Sequence, residues 1–288
     1  MSKAQRLREM IAAGPIVFGP GVFDALSARL AQQAGFSMVF GSGYGIAATR
    51  LAAPDFGLLS ATEMLEAAGA MAAAVDVPLI ADLDTGYGNP LNVIRTVREA
   101  VGKGVAGFIL EDQEWPKKCG HFAGKRVIPA GDHAAKIRAA VEARGDSGLV
   151  IVARTDSRAV HGLDDAIARG RLYAEAGADV IFVEAPQSRD ELVRVAESLK
   201  GIPLLANMVE GGRTPTLPAA ELEGLGFRLG VFPLSGLFSA AAALERCYRH
   251  LAVHGTSGGL EGLLDFASFE AVVETPAWRR LEEKYSGP

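Results

Sequence analysis

Residues 111–121, Glu-Asp-Gln-Glu-Trp-Pro-Lys-Lys-Cys-Gly-His, crowd carboxylates, two lysines, a cysteine and a histidine into one short stretch. The chain holds only 2 cysteines, and Cys119 is the one flanked by charge and glycine. Lys117, Lys118 and His121 would either stabilise Cys119 as a thiolate or tune its thiol as a proton donor. Cys247, within Ala-Ala-Leu-Glu-Arg-Cys-Tyr-Arg-His, falls on a helix face where apolar packing accounts for it.

A second group of reactive residues stands where short apolar runs stop. Asp82 and Asp84 end one run, Glu111 and Asp112 the next, then Arg154 with Asp156, Glu184, and Asn207. So many carboxylates on one rim would repel each other without a cation. Their hard oxygens suit Mg²⁺, or Mn²⁺ in its place, held partly through water. Helix capping or pairing with Arg154 would explain any one of these acids, but less readily Asp82, Asp84 and Glu111 together. Arg154 would grip a substrate carboxylate through two parallel hydrogen bonds. A structural ion pair with Glu184 or Asp156 is compatible with that role. Gly-Ser-Gly-Tyr-Gly (41–45) would present backbone N–H groups to an anion, on its own a weak signal.

The elements that must position these groups are eight apolar runs: 15–19, 37–43, 77–84, 106–112, 148–156, 178–185, 202–208 and 227–235. Each is almost continuously apolar, as strands covered on both faces are. Helical patterns lie between them, several opening on Ser, Asp, Asn or Pro and closing on Gly. Eight such alternations predict an α/β fold, a (β/α)8 TIM barrel, with the polar residues on its C-terminal face. A doubly wound open sheet is the runner-up, but no Gly-x-Gly-x-x-Gly follows the first run. Residues 113–128 form a loop longer than barrel connections usually are, as lids often are. The barrel is expected over 1–253, and a C-terminal helical extension over 254–288 after the Gly/Ser-rich break. Its amphipathic part, 263–285, carries a stripe of Leu263, Leu264, Phe266, Phe269, Val272 and Val273. That part would pack on the outside of the barrel or serve oligomerisation.

Whole-chain properties exclude other classes. The 288 residues are 49% hydrophobic with net charge −5, and no basic run suggests a nucleic-acid or anionic-membrane partner. The first residues lack the uninterrupted apolar stretch of a signal peptide, and no apolar run reaches membrane length, so neither a secreted nor a membrane-spanning protein is expected. Two cysteines cannot build a disulfide framework, so a soluble cytoplasmic protein is expected.

These motifs resemble the isocitrate lyase/phosphoenolpyruvate mutase superfamily from about residue 10 to about residue 280. Ala-Asp-Leu-Asp-Thr-Gly-Tyr-Gly-Asn, Leu-Glu-Asp-Gln, Ala-Arg-Thr-Asp-Ser, Phe-Val-Glu-Ala and Asn-Met-Val-Glu-Gly-Gly-Arg-Thr-Pro occur in the family's order. Lys-Lys-Cys-Gly-His is the most specific, resembling the signature of the branch that breaks carbon–carbon bonds. Phosphonate mutases and phosphonopyruvate hydrolases usually carry a Thr-Asn-Ser-type loop there. The resemblance implies that Asp82 ligates Mg²⁺ directly while Asp55, Asp84 and Glu111 hold its waters. It implies a substrate site of Ser42, Gly43, Tyr44, Gly120, Arg154, Glu184 and Asn207, with catalytic roles for Lys118, Cys119, His121, Tyr44 and Arg154. Cys119 would protonate the carbanion left by cleavage. Gly211 stands where lyases of citrate-derived acids tend to place Phe, which resembles the dimethylmalate lyase branch, and a chain this short lacks room for the inserted domains of isocitrate lyases. The implied reaction cleaves a 2-hydroxy dicarboxylate, a 2-alkylmalate such as 2,3-dimethylmalate or else 2-methylisocitrate, to pyruvate and a carboxylate. Oxaloacetate hydrolysis, decarboxylation, phosphonate chemistry and a binding protein with a vestigial site are the alternatives. The resemblance also implies a homotetramer, a dimer of dimers that swap their last helix.

Overall fold

The computed structural model describes residues 1–286. Seven of the eight apolar runs contain a strand and the first, 15–19, overlaps one that extends three residues beyond it: β1 (Val17–Val22), β2 (Val39–Gly41), β3 (Leu79–Asp82), β4 (Gly107–Glu111), β5 (Val150–Thr155), β6 (Val180–Val183), β7 (Leu205–Asn207) and β8 (Leu229–Phe232). They pair in parallel in the order β6-β5-β4-β3-β2-β1-β8-β7. A bridge between Ile181 and Leu204 brings β6 to the start of β7, so the sheet nearly closes into a TIM barrel. Consecutive strands as neighbours all the way round exclude the doubly wound alternative.

Helices separate the strands. In chain order they are α1 (Lys3–Ala13), α2 (Ala25–Gln33), α3 (Gly43–Leu51), α4 (Ala61–Ala74), α5 (Pro90–Gly102), α6 (Ala130–Arg144), α7 (Leu163–Glu175), α8 (Arg189–Ser198) and α9 (Ala219–Leu225). Their starts follow from local chemistry. Ser60 and Glu63 form a reciprocal capping box on α4, and Asn89 caps α5 ahead of Pro90.

Because strand side chains alternate faces, the apolar residues divide into two layers. Phe40, Ile80, Ile109, Val152, Phe182 and Leu205 point inward and pack with Leu7 and Ile11 of α1. Their neighbours Val39, Leu79, Leu110, Ile151 and Ile181 point outward into the layer between sheet and helices.

The chain divides into two compact units, Met1–Leu237, which contains the barrel, and a second from Phe238 onward. The division falls inside α10 (Ser235–His254), not at the Gly/Ser break after it, and none of that helix's side chains is buried. Within the second unit, α11 (Phe266–Val272) and α12 (Thr275–Tyr285) are tied by Arg279 Nη2 and Glu270 Oε1 at 2.7 Å. Among the described residues no helix is long and apolar enough to cross a membrane.

Candidate active site

One pleat beyond the last inward core residue, strand after strand presents a polar side chain. Phe40 is followed two positions later by Ser42, Ile80 by Asp82, Ile109 by Glu111, Val152 by Arg154, Phe182 by Glu184, and Leu205 by Asn207. All six stand at the C-terminal rim, where barrel active sites are built. Parity also separates Asp112 from this set. Its side chain faces the outer layer, accepting from Thr155 Oγ1 (2.8 Å), Tyr173 OH (2.8 Å) and Arg169 Nη1 (3.1 Å). Asp112 is therefore a structural hub and not one of the converging rim acids.

The rim cavity is walled by Ser42, Tyr44, Asp55, Asp82, Cys119, Gly120, His121, Arg154, Glu184 and Asn207. Ser42 serves as the N-cap of α3, its Oγ accepting from the Gly45 N–H at 3.2 Å. A Cβ on Gly43 would stand 2.8 Å from Asp82 Oδ2, so glycine there lets the first turn of α3 lie against that carboxylate. The helix start thereby offers unpaired N–H groups to an anion beside Asp82.

Asp84 and Glu111 lie fully buried next to Asp82, whose Oδ1 accepts from the Asp84 N–H at 3.1 Å. The Asp84 backbone is left-handed (φ 50°), a conformation unusual for a non-glycine residue and often retained at functional sites. Burial pushes Asp84 up to about 7 against the pull of Lys117, and pushes Glu111 well above the usual carboxylate range against Arg154 and Lys117. The cation among these acids is one that sequence analysis assigned elsewhere. Lys117 Nζ sits 2.6 Å from Asp55 Oδ1 and 2.7 Å from Asp84 Oδ1, so it serves the carboxylates and not Cys119. Burial pulls Lys117 down, but Asp84, Asp55, Asp82 and Glu111 outweigh it and hold the ammonium charged.

These residues fit a hydrated magnesium ion. Lys117 pairs directly with Asp55 and Asp84 and feels Asp82 and Glu111 from farther off, and Glu111 Oε2 is buried without a hydrogen-bond donor. Among the described residues no three His, Cys, Asp or Glu side chains converge to ligate an ion directly. An ion that keeps most of its waters and takes one or two carboxylates suits that geometry.

Arg154 is held on three sides. Its Nε and Nη2 donate to the two oxygens of Asp156 (2.8 and 3.0 Å), Nη2 lies 3.1 Å from Glu184 Oε2, and Nε lies 3.4 Å from Glu111 Oε2. The structural pairing anticipated for Arg154 is thus present, and the guanidinium still lines the cavity. Burial opposes the charge on Asp156, but Arg154 and Lys125 overcome it and keep that carboxylate far below its usual range.

The loop between β4 and α6 is folded over this site. Gln113 anchors its first limb, donating to the Lys118 carbonyl (2.8 Å) and to Glu111 Oε1 (3.2 Å) while accepting from the Lys118 N–H (3.1 Å). Lys125 anchors the return limb, its Nζ bonded to the Gly120 carbonyl and 2.6 Å from Asp156 Oδ1. Between them, the Cys119 N–H donates to the Asp55 carbonyl at 3.0 Å, which sets the thiol in the cavity wall. A Cβ on Gly120 would collide with Arg154 and Glu184, so only glycine permits this approach. Burial pushes the Cys119 thiol up to about 11, with Asp55 and Glu184 adding to it. Of the two states the flanking charges left open, the structure favours the protonated thiol. His121 Nδ1 accepts from the Arg213 N–H (3.0 Å), which leaves its proton on Nε2, 3.5 Å from Glu184 Oε1. Burial lowers its pKa and favours the neutral ring.

Of the predicted residues, Gly43, Asp84, Glu111 and Lys118 do not line the cavity; the first three lie against or beside Asp82, whereas the Lys118 ammonium turns back to the Gly124 carbonyl (3.2 Å). Sequence reasoning passed over Lys125 altogether. Asp55 had entered only through the family resemblance, since it follows no strand and no local pattern marks it.

Comparison with known proteins agrees with this fold. The phosphoenolpyruvate phosphomutase family matches residues 7–252. A protein of Arabidopsis thaliana named carboxyvinyl-carboxyphosphonate phosphorylmutase, chloroplastic, is 48% identical over 98% of this chain and 84% of its own length. The 2,3-dimethylmalate lyase of Eubacterium barkeri is 42% identical over 99% of both chains. A crystal structure of 2,3-dimethylmalate lyase, described as a PEP mutase/isocitrate lyase superfamily member, superposes with a TM-score of 0.95 at 37% identity, covering 100% of this chain and 96% of that one. The chain belongs to the phosphoenolpyruvate phosphomutase family, within the PEP mutase/isocitrate lyase superfamily.

Proposed function

We propose that this protein is a magnesium-dependent carbon–carbon lyase that cleaves a 2-hydroxy acid, either a dicarboxylate of the 2-alkylmalate type or the tricarboxylate 2-methylisocitrate, to pyruvate and a second carboxylate product. The observation that carries this reading is Cys119, a thiol whose burial favours its protonated form, in the wall of the cavity that Arg154 also lines. Carbon–carbon cleavage leaves a carbanion next to a carboxylate, and that carbon must receive a proton. An internal phosphonate rearrangement moves a phosphoryl group and needs no proton at carbon. Cys119 therefore favours the lyase, although the 48% identical relative bears a phosphorylmutase name.

Asp82 would ligate magnesium directly, with Asp55, Asp84 and Glu111 holding its waters. Bound there, the ion would supply Lewis-acid polarisation of the 2-hydroxyl and of the carbonyl that replaces it. Arg154 and the start of α3, with Ser42, Gly43 and Tyr44, would hold the pyruvate-forming end. Glu184, His121 and Asn207, which line the same cavity, would orient the other end. Lys125 and Gln113 keep the loop shut, excluding water while the Cys119 proton passes to carbon.

Oxaloacetate hydrolysis also ends in protonation of a carbanion, so it is the second reading. Incubation with magnesium and, in turn, 2,3-dimethylmalate, 2-methylisocitrate, oxaloacetate or phosphonopyruvate separates them. Pyruvate release from one of the first two is expected. Turnover of phosphonopyruvate alone would overturn the lyase.

For assembly, we infer a homotetramer built from helix-swapped dimers. Supporting it, α10 to α12 bury no side chain and expose Leu244, Tyr248, Phe266, Trp278 and Leu281. The free Cys119 and Cys247 suit a reducing compartment, and the cytoplasm is where we place the enzyme.

A further inference from the structure

Beside the rim site lies a second and larger cavity of about 730 Å³, on the barrel flank between the starts of α4 and α5, the root of the Cys119 loop and the first turns of α6. Lys136 lines it at only 8% exposure. Its ammonium donates to the Thr85 carbonyl (3.1 Å) and joins no ion pair among the described residues. Thr85, which also lines the cavity, is 1% exposed, and its hydroxyl has no hydrogen-bond partner. A buried ammonium with spare donors beside an unpartnered hydroxyl is costly unless something polar satisfies both.

We propose that this cavity is a binding site for a small monocarboxylate, whose oxygens pair with Lys136 and Thr85 and whose aliphatic tail lies against Trp115 and Ile128. The exposed Asp132, one helical turn before Lys136 on the cavity wall, disfavours a second carboxylate. The class therefore matches the monocarboxylate products of 2-alkylmalate cleavage and not the substrate itself. The site itself does not depend on that reading, because its occupancy can be read without turnover.

Two wall residues connect the cavity to the rim. Tyr87 packs edge-on against Trp115 (ring centroids 5.8 Å), and its buried hydroxyl, which has no hydrogen-bond partner, lies within the electrostatic reach of Asp84. Gln113 holds both Glu111 and the backbone of Lys118. A ligand that shifts Trp115 or Gln113 thus bears on the Cys119 loop, which makes the site a product sensor.

The test uses the full-length protein in magnesium buffer with Trp278→Phe, which leaves Trp115 as the one remaining tryptophan of 2. Titration with propionate should give a saturable change in Trp115 fluorescence, and succinate should bind more weakly. Lys136→Met should weaken propionate by at least ~30-fold, as expected for removing a buried charge partner. Lys136→Arg should retain binding, and Arg154→Lys, which alters only the rim site, should leave it within about twofold. Should Lys136→Met fail to fold by circular dichroism, Thr85→Val provides the second arm. Loss of one neutral hydrogen bond there should weaken propionate by ~2–10-fold. Unchanged affinity in Lys136→Met, or in Thr85→Val, overturns the proposal. So does a signal lost in Arg154→Lys and kept in Lys136→Met, which would place propionate at the rim site.

Discussion

A serine at position 119 fills nearly the volume of the thiol but is a far weaker acid, so Cys119→Ser separates proton delivery from packing. Removing a general acid typically costs ~10²–10⁴-fold, and turnover should fall by that order while magnesium and pyruvate affinities, read by calorimetry, hold within about threefold. Turnover near wild type would remove Cys119 from the chemistry. The wild-type enzyme run in D₂O should place one deuterium at the α-carbon of the released monocarboxylate, visible by NMR. Asp82→Ala should abolish activity at millimolar magnesium, whereas chelation of the wild-type enzyme should be reversible by Mg²⁺ or Mn²⁺. Full activity in metal-free wild type would sink the carboxylate assignment. At this scale the pleat parity was readable in advance, because Asp82, Glu111, Arg154 and Glu184 each follow an apolar residue by two positions. The same parity separates Asp112 from Glu111, a distinction that residue type alone conceals.

Among the elements, the loop between β4 and α6 and helix α6 itself make separate demands. Lys125 ties the loop's return limb to Asp156 and Gly120. Lys125→Met should therefore speed limited proteolysis within 113–128 while the barrel stays resistant; an unchanged cleavage rate would show that this bond does not hold the loop. On α6, His133 is wholly buried against Tyr173, ring centroids 4.6 Å apart, and burial pulls its pKa from 6.5 down to about 3. The folded value lies below the unfolded one. The stability His133 confers is thus complete above about pH 6.5 and is lost as pH falls toward 3. His133→Phe keeps the ring contact and removes the proton uptake, so the acid limb of a urea-unfolding series should flatten by up to about 1.4 kcal/mol per pH unit between those values. An identical acid limb would place the sensitivity in another group.

For the whole molecule, the open question is what covers the helices from Phe238 onward. Their large apolar side chains, with Phe266 83% and Trp278 67% exposed, are more than a lone soluble chain usually leaves in water. Deleting residues 263–288 should lower the oligomeric mass measured by light scattering. An unchanged mass would exclude this segment from the assembly.

The sequence by itself determined the eight strands, their succession around the barrel and the rim residues at their ends, because a strand's period of two and its apolar runs are properties of near neighbours in the chain. It also marked Cys119 as unusual through its immediate flanks. Only the tertiary structure decided that Lys117 reaches Asp55 and Asp84 while the adjacent Lys118 turns away to Gly124, that Lys125 closes the loop on Asp156, and that burial keeps the Cys119 proton in place. Those outcomes depend on the path of the loop across the rim and on which groups it shields from water, and no run of neighbouring residues encodes either.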